Sequence, residues 1–178
     1  MRAPSTAAAI LLAGLALAGC KPAAPPTKEY AYPAWGFRVS LPATPVETKQ
    51  PGPTSSDRVE STAGGRHFVV WAADVSTTGM SLSELAKAGS EYIAKQMKAT
   101  ASIPTYAATA EGVEGREYQL TSAGKWRATL RVFLAGGRFY EVIGDSTAGQ
   151  DDPALSDFLA SFHTTGAAPA ASNAVGGR

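Results

Sequence analysis

The chain has 178 residues with 16 basic and 15 acidic side chains and a formal net charge of +1, so no broad electrostatic attraction to nucleic acid follows. Its single cysteine, Cys20, excludes an intrachain disulfide and a multi-thiolate metal site. A chain of this length buries one ordinary core, and its stability has to come from packing.

The first element is a targeting segment. Arg2 precedes an uncharged apolar stretch over residues 7–18 that is too short to span a bilayer as a mature helix, and small residues lead to Cys20. Charge, apolar run and small residues agree on a secretion signal rather than on an ordinary buried cysteine. Leu17-Ala18-Gly19-Cys20 resembles the lipobox of bacterial lipoproteins. The resemblance implies that residues 1–19 are a signal peptide and that Cys20 is acylated as the first mature residue. Cleavage there leaves 159 residues with basic and acidic side chains equal in number, and acylation leaves no thiol for a metal or a nucleophile. Lys21 stands where enteric lipoproteins retained at the inner membrane carry an aspartate, so the resemblance leans towards the outer membrane.

Residues 20–29 follow as a proline-rich linker whose composition favours an extended polyproline II spacer. The folded domain is expected over residues 30–163. Phe37-Arg38-Val39-Ser40-Leu41 alternates with period two and stops at Pro42, which predicts a half-buried strand. Residues 57–62 form a weaker strand candidate leading to Gly64-Gly65, a pair suited to the positive φ of a tight hairpin. Residues 67–74 run apolar without alternation, so this strand needs cover on both faces.

Ser81 and Glu84 have the spacing of a capping box, which starts a helix there. Leu82, Leu85, Ala86, Gly89, Tyr92, Ile93 and Met97 form its apolar stripe, leaving Glu84, Lys87, Glu91, Lys95 and Lys98 to solvent. A short strand is expected near residues 105–110. The strand over 113–121 puts Tyr118 and Leu120 on one face, and Ala123-Gly124 turns the chain back. The next strand sets Trp126, Ala128, Leu130, Val132 and Leu134 against a polar row of Lys125, Arg127, Thr129 and Arg131. Gly136-Gly137 then returns the chain into a strand over 138–143, completing an antiparallel meander. The likeness of this turn to Gly64-Gly65 needs only shared hairpin chemistry, not an internal repeat. Asp152 as N-cap and Pro153 at the first helical position open a last helix carrying Leu155, Phe158, Leu159 and Phe162. Residues 164–178 lack large apolar side chains apart from Val175 and read as a disordered tail.

Few residues could carry chemistry. The two histidines are His67, beside a turn, and His163, expected to end the last helix; both have ordinary structural explanations. The chain contains no Gly-x-Ser-x-Gly elbow, His-Glu-x-x-His pair, Walker loop or dinucleotide-binding glycine pattern, so neither an enzyme nor a cofactor is expected. Asp145, Asp151, Asp152 and Asp157 do not follow a calcium-loop spacing, and no metal is expected. Lys125, Arg127 and Arg131, joined by Arg116 and Arg138 from adjoining strands, form a candidate docking face for an anionic partner, with Glu114, Glu117 and Glu141 able to pair with it across strands. Trp71, Trp126 and Tyr140 mark a candidate apolar pocket.

Trp35-Gly36-Phe37 running into Val39-Ser40-Leu41-Pro42, the Gly115-Arg116-Glu117-Tyr118 strand, Gly137-Arg138-Phe139-Tyr140 and the closing Phe158-Leu159-Ala160-Ser161-Phe162 resemble the PsbP-like and Mog-type domains of many bacterial lipoproteins. The resemblance implies an α+β fold, an antiparallel sheet flanked by helices as an α/β/α sandwich. It also implies an accessory or binding role, as in photosystem assembly or small-GTPase binding, without a shared catalytic set. Ala43 follows Pro42 where PsbP-type sequences often carry tryptophan. The reading is therefore a lipid-anchored, non-enzymatic accessory protein of the bacterial envelope, facing the periplasm, with an envelope protein as partner and no nucleic acid. The alternative is a small-molecule or lipid carrier with its pocket between sheet and helices.

Overall fold

Period-two patterning and paired glycines set most of the architecture. The computed structural model describes residues 26–51, 55–101, 109–122, 126–146 and 152–165. The first half of the chain supplies β1 (Lys28–Tyr32), β2 (Phe37–Leu41), β3 (Val46–Gln50), β4 (Ser56–Ala63), β5 (Arg66–Asp74) and α1 (Leu82–Gln96). The second half supplies β6 (Thr100–Ala101), β7 (Thr109–Ala110), β8 (Val113–Ser122), β9 (Trp126–Ala135), β10 (Arg138–Ser146), α2 (Pro153–Ala160) and β11 (His163–Thr164). Cys20, Lys125, Asp151, the Ala123-Gly124 turn and most of the linker and tail lie outside the described residues.

Among the described residues, the large sheet runs β3-β4-β5-β10-β9-β8-β6, with β7 on β8, and a second sheet runs β1-β2-β11. The pairings are antiparallel. Two tight hairpins pin the register of the large sheet. Ala63 pairs with Arg66 across Gly64 (φ 59°) and Gly65 (φ 75°), and Ala135 with Arg138 across Gly136 (φ 57°) and Gly137 (φ 76°). Two successive positive φ values match the right-handed twist of the flanking strands, and glycine adopts them without a Cβ penalty.

The central strands are buried on both faces, as the unbroken apolar run of β5 requires. Phe68, Val70, Ala72, Phe133, Tyr140 and Val142 point into one core, while Val69, Leu130, Val132, Phe139 and Ile143 point into the other. The first core is capped by α2 and the three-stranded sheet. Phe162 sits at its hub, with ring centroids 5.4 Å from Phe133, 5.6 Å from Tyr140 and 5.8 Å from Phe37. Each such aromatic contact adds about 0.5–1.5 kcal/mol beyond area burial. The second core is capped by α1.

The architecture is therefore sheet-dominated. A helix lies on each face, but α1 and α2 have only 15 and 8 residues, and α2 shares its face with β1, β2 and β11, so the expected α/β/α sandwich is only partly formed.

Several boundaries differ from expectation: β1 begins at Lys28, so the domain takes in the last two residues of the expected linker over 20–29, and the two-residue strands β6 and β11 are too short to leave a pattern. β1 and β3 were not anticipated, because β1 buries only Tyr32 and β3 buries nothing, leaving no period to detect. His163 does not end the last helix: α2 stops at Ala160, and His163 pairs with Arg38 in β11. Nor does the fold end before residue 164, since Thr164 is 5 % exposed and the Thr165 N–H donates to the Gly36 carbonyl at 2.7 Å.

Candidate functional site

The capping box of α1 forms as its spacing predicts. The Ser81 hydroxyl accepts from the Glu84 N–H at 3.3 Å and the Glu84 carboxylate accepts from the Ser81 N–H at 2.8 Å. This fixes where the helix begins and so which side chains meet the sheet. Ala86, Ser90 and Ala94, at intervals of four, are buried against it, whereas Tyr92 is turned out of the expected stripe and is 61 % exposed.

Small residues on the inner side of α1 leave space. Between α1 and the sheet lies a cavity of about 690 Å³, with Trp71, Leu85, Ile93, Phe139 and Ile143 among its apolar walls. Trp71 and Phe139 meet edge to face, centroids 6.3 Å apart. On β10 between Phe139 and Ile143 stands Glu141, 4 % exposed, its carboxyl lining the same cavity. No described side chain or backbone group satisfies that carboxyl. Burial alone raises it to about 7, because a carboxylate loses its hydration without gaining a counter-charge. Gly89 makes room for it: a Cβ there would overlap a Glu141 carboxylate oxygen and lie 3.4 Å from the Phe139 ring. A mid-helix glycine costs roughly 1 kcal/mol against alanine, so its position over an acid points to a local requirement.

The rim is polar. His67 Nδ1 lies 3.3 Å from Asp145 and Nε2 lies 3.4 Å from Glu60, which itself meets Arg58 at 2.7 Å. The Asp145 contact, helped by Glu60 and opposed by partial burial, raises the imidazole and favours its charged form.

No protein-family model and no curated protein matches the chain. Among solved structures, the solution structure of cyanobacterial PsbP (CyanoP) from Synechocystis sp. PCC 6803 aligns with a TM-score of 0.55 at 11 % identity, over 84 % of this chain and 98 % of that one. The fold is PsbP-like. A crystal structure from Bacteroides thetaiotaomicron VPI-5482 aligns with a TM-score of 0.42 at 14 % identity, over 77 % of this chain and 48 % of that one. In the PsbP-like domain the Trp35-Gly36 segment forms the β1–β2 turn, with Gly36 at φ 67°, and Tyr140 Oη donates to the Trp35 carbonyl at 2.9 Å.

The PsbP-like domain divides the expected cationic face. Arg127 and Arg131 share the sheet face that α2 covers, and Arg131 donates to Glu117 at 2.7 Å. Arg116 stands opposite Val132, on the α1 face, and pairs with Glu114. Arg138 stands opposite Ala135 at the far end of β10 from Arg127, beside Gly36. Alternation along single strands placed Arg127 and Arg131 correctly but could not supply the cross-strand register that separates the other two.

Register also corrects Glu141. It does not pair with the arginines; it lies opposite Trp71 and Val132, on the α1 face. Of the aromatic trio expected around a pocket, only Trp71 lines the cavity. Tyr140 belongs to the opposite core and Trp126 packs at the periphery of the α1 core. The signal for Glu141 was present in the sequence as one acid inside an apolar strand, and its partner signal was Gly89 inside the helical stripe. Among the described residues no group of three or more His, Cys, Asp or Glu is placed to hold a metal ion, and no helix is long and apolar enough to cross a membrane.

Proposed function

We propose that the chain is a lipid-anchored, non-enzymatic binding protein of the bacterial cell envelope, acylated on Cys20 and facing the periplasm. The observation that carries this reading is Leu17-Ala18-Gly19-Cys20 at the end of an apolar run with Arg2 as its only charged residue. Seven residues separate Cys20 from Lys28, where β1 begins, and three of them are proline. In polyproline II form they reach about 20 Å, enough to hold the domain clear of lipid headgroups. Attached acyl chains hold such a protein at a bilayer by about 0.8 kcal/mol per buried CH₂. Lys21 after the cysteine supports the outer membrane, and the partner is another envelope component.

Palmitate labelling of wild type and Cys20→Ser in a bacterial host tests the anchor. Label is expected in the wild type alone, with Cys20→Ser released from the membrane fraction. Equal labelling of the two overturns the reading.

One observation favours the second reading, a small-molecule or lipid carrier: the cavity between α1 and the sheet is walled mainly by apolar side chains.

A further inference from the structure

We propose that the cavity beneath α1 binds an amphiphile bearing a protonated amine, with its apolar body against Trp71, Phe139 and Ile93 and its ammonium group on the Glu141 carboxylate. The inference rests on the carrier reading and names the ligand class.

Three observations converge. The cavity is walled mainly by apolar side chains, so it favours hydrocarbon or an aromatic ring over a polar solute. Its one deeply buried polar side chain among the described residues is an acid that makes no hydrogen bond or ion pair with them, and a buried carboxyl without a partner is costly unless a ligand supplies one. Gly89 makes room for the carboxyl itself, since a Cβ there would meet its Oε1, so the acid is accommodated in the wall beneath α1 and not displaced from it.

The charges around the cavity select the sign of the ligand. Asp145 lines it from β10, His67 from β5, Arg58 from β4 and Tyr92 from α1, and Glu60 on β4 and Arg116 on β8 stand on the same sheet face beyond its lining. Each cation there already has an acid: Arg58 has Glu60, His67 has Asp145 and Glu60, and Arg116 has Glu114. Glu141 alone is unmatched, so an ammonium group complements the site and a second carboxylate is repelled.

The probes are n-octylamine, n-octanol and octanoate, which share one chain and differ in the head. They are titrated by calorimetry into the full-length chain carrying Cys20→Ser, so that no acyl group competes for the cavity. At pH 8 octylamine is expected to bind at least about tenfold tighter than octanol, and octanoate weakest. Octylamine affinity should fall about tenfold between pH 8 and pH 6 as Glu141 takes up a proton. His67 charging acts in the same direction, so Glu141→Gln, which keeps size and shape, separates the two. That variant should bind octanol within about twofold of wild type and lose the preference for the amine. If octanol binds but octylamine is not preferred, or the preference survives in Glu141→Gln, the ammonium site is overturned while the carrier reading stands. If none of the three binds at millimolar concentration, both fail. The comparison of the three probes on unmutated Glu141 needs no variant at that position to fold.

Discussion

Burial holds the Glu141 carboxyl at about 7 against 4.5 for an unperturbed glutamate, and this makes stability depend on pH in a stated direction. A carboxyl whose folded value is raised binds its proton more tightly in the folded state, so its contribution is full below the unfolded value and is lost as pH rises through the folded one. The window is therefore pH 4.5 to about 7, and stability falls with increasing pH across it. The slope is about 1.4 kcal/mol per pH unit, giving a total loss on the order of 3 kcal/mol. His67, also raised, loses its contribution in the same direction, whereas Asp152 works the other way. Burial alone pushes the Asp152 carboxyl up, but hydrogen bonds from Arg66 and the Ala154 N–H outweigh it, so its contribution fades only in acid below this window. Urea midpoints at pH 5 and pH 8 isolate Glu141. Wild type should weaken markedly between them, and Glu141→Gln should weaken less, becoming more stable than wild type at pH 8 by a few kcal/mol. Parallel pH profiles for the two proteins would show that the carboxyl finds a partner or water that burial does not reveal.

At the scale of elements, α1 and β10 are coupled through one contact. An alanine for a mid-helix glycine ordinarily stabilises by about 1 kcal/mol. At Gly89 the new methyl overlaps the tip of the Glu141 side chain, which has to turn into the cavity, so Gly89→Ala is expected to lose that gain and to destabilise by up to about 1 kcal/mol instead. In a Glu141→Ala background the space is free, and the same change should become neutral or stabilising. That reversal, read from thermal or urea unfolding of the four proteins in a double-mutant cycle, distinguishes a specific contact from general crowding; a constant loss in both backgrounds removes Gly89 from the account. The same pair shows what could be read from residues alone. The capping box of Ser81 and Glu84, the glycine hairpins and the doubly covered β5 follow from local rules and were readable, because each depends on spacing within one segment. What was not readable depends on register between segments. Glu141 faces α1 instead of the arginines, and Arg116 and Arg131 point to opposite faces, because pairing sets each residue opposite one partner and a shift of one reverses every side chain. β1 and β3 escaped for a different reason: strands with little or no burial are held by ladder hydrogen bonds, which leave no apolar pattern.

For the whole molecule, the question is whether the residues before β1 add to the stability of the domain. β5, β9 and β10 each place side chains in both cores, so the two faces of the large sheet cannot melt independently. The α2 face is tied in further by Arg66, which joins the β4–β5 hairpin to the Asp152 cap at 2.6 Å, the two side chains 13 % and 5 % exposed. The three-stranded sheet completes that face through β2, and β1 protects β2 along its full length, from Lys28 opposite Leu41 to Tyr32 opposite Phe37. Tyr32 also stacks on Phe37 with centroids 4.7 Å apart. Deletions from the N-terminus should therefore show a step. A chain starting at Pro26 retains β1 and is expected to melt within about 2 °C of the full-length protein, since it keeps every described strand and both cores. A chain starting at Pro33 loses β1, opens one edge of β2 and uncovers Phe37, with an expected loss of about 3 kcal/mol and a fall in Tm of roughly 10 °C. Calorimetric melts of the three chains, all with Cys20→Ser where that residue is present, give the two differences directly. A large fall already at Pro26 would make the preceding segment part of the fold, and the spacing between Cys20 and β1 would then be a structural feature and not a length of spacer.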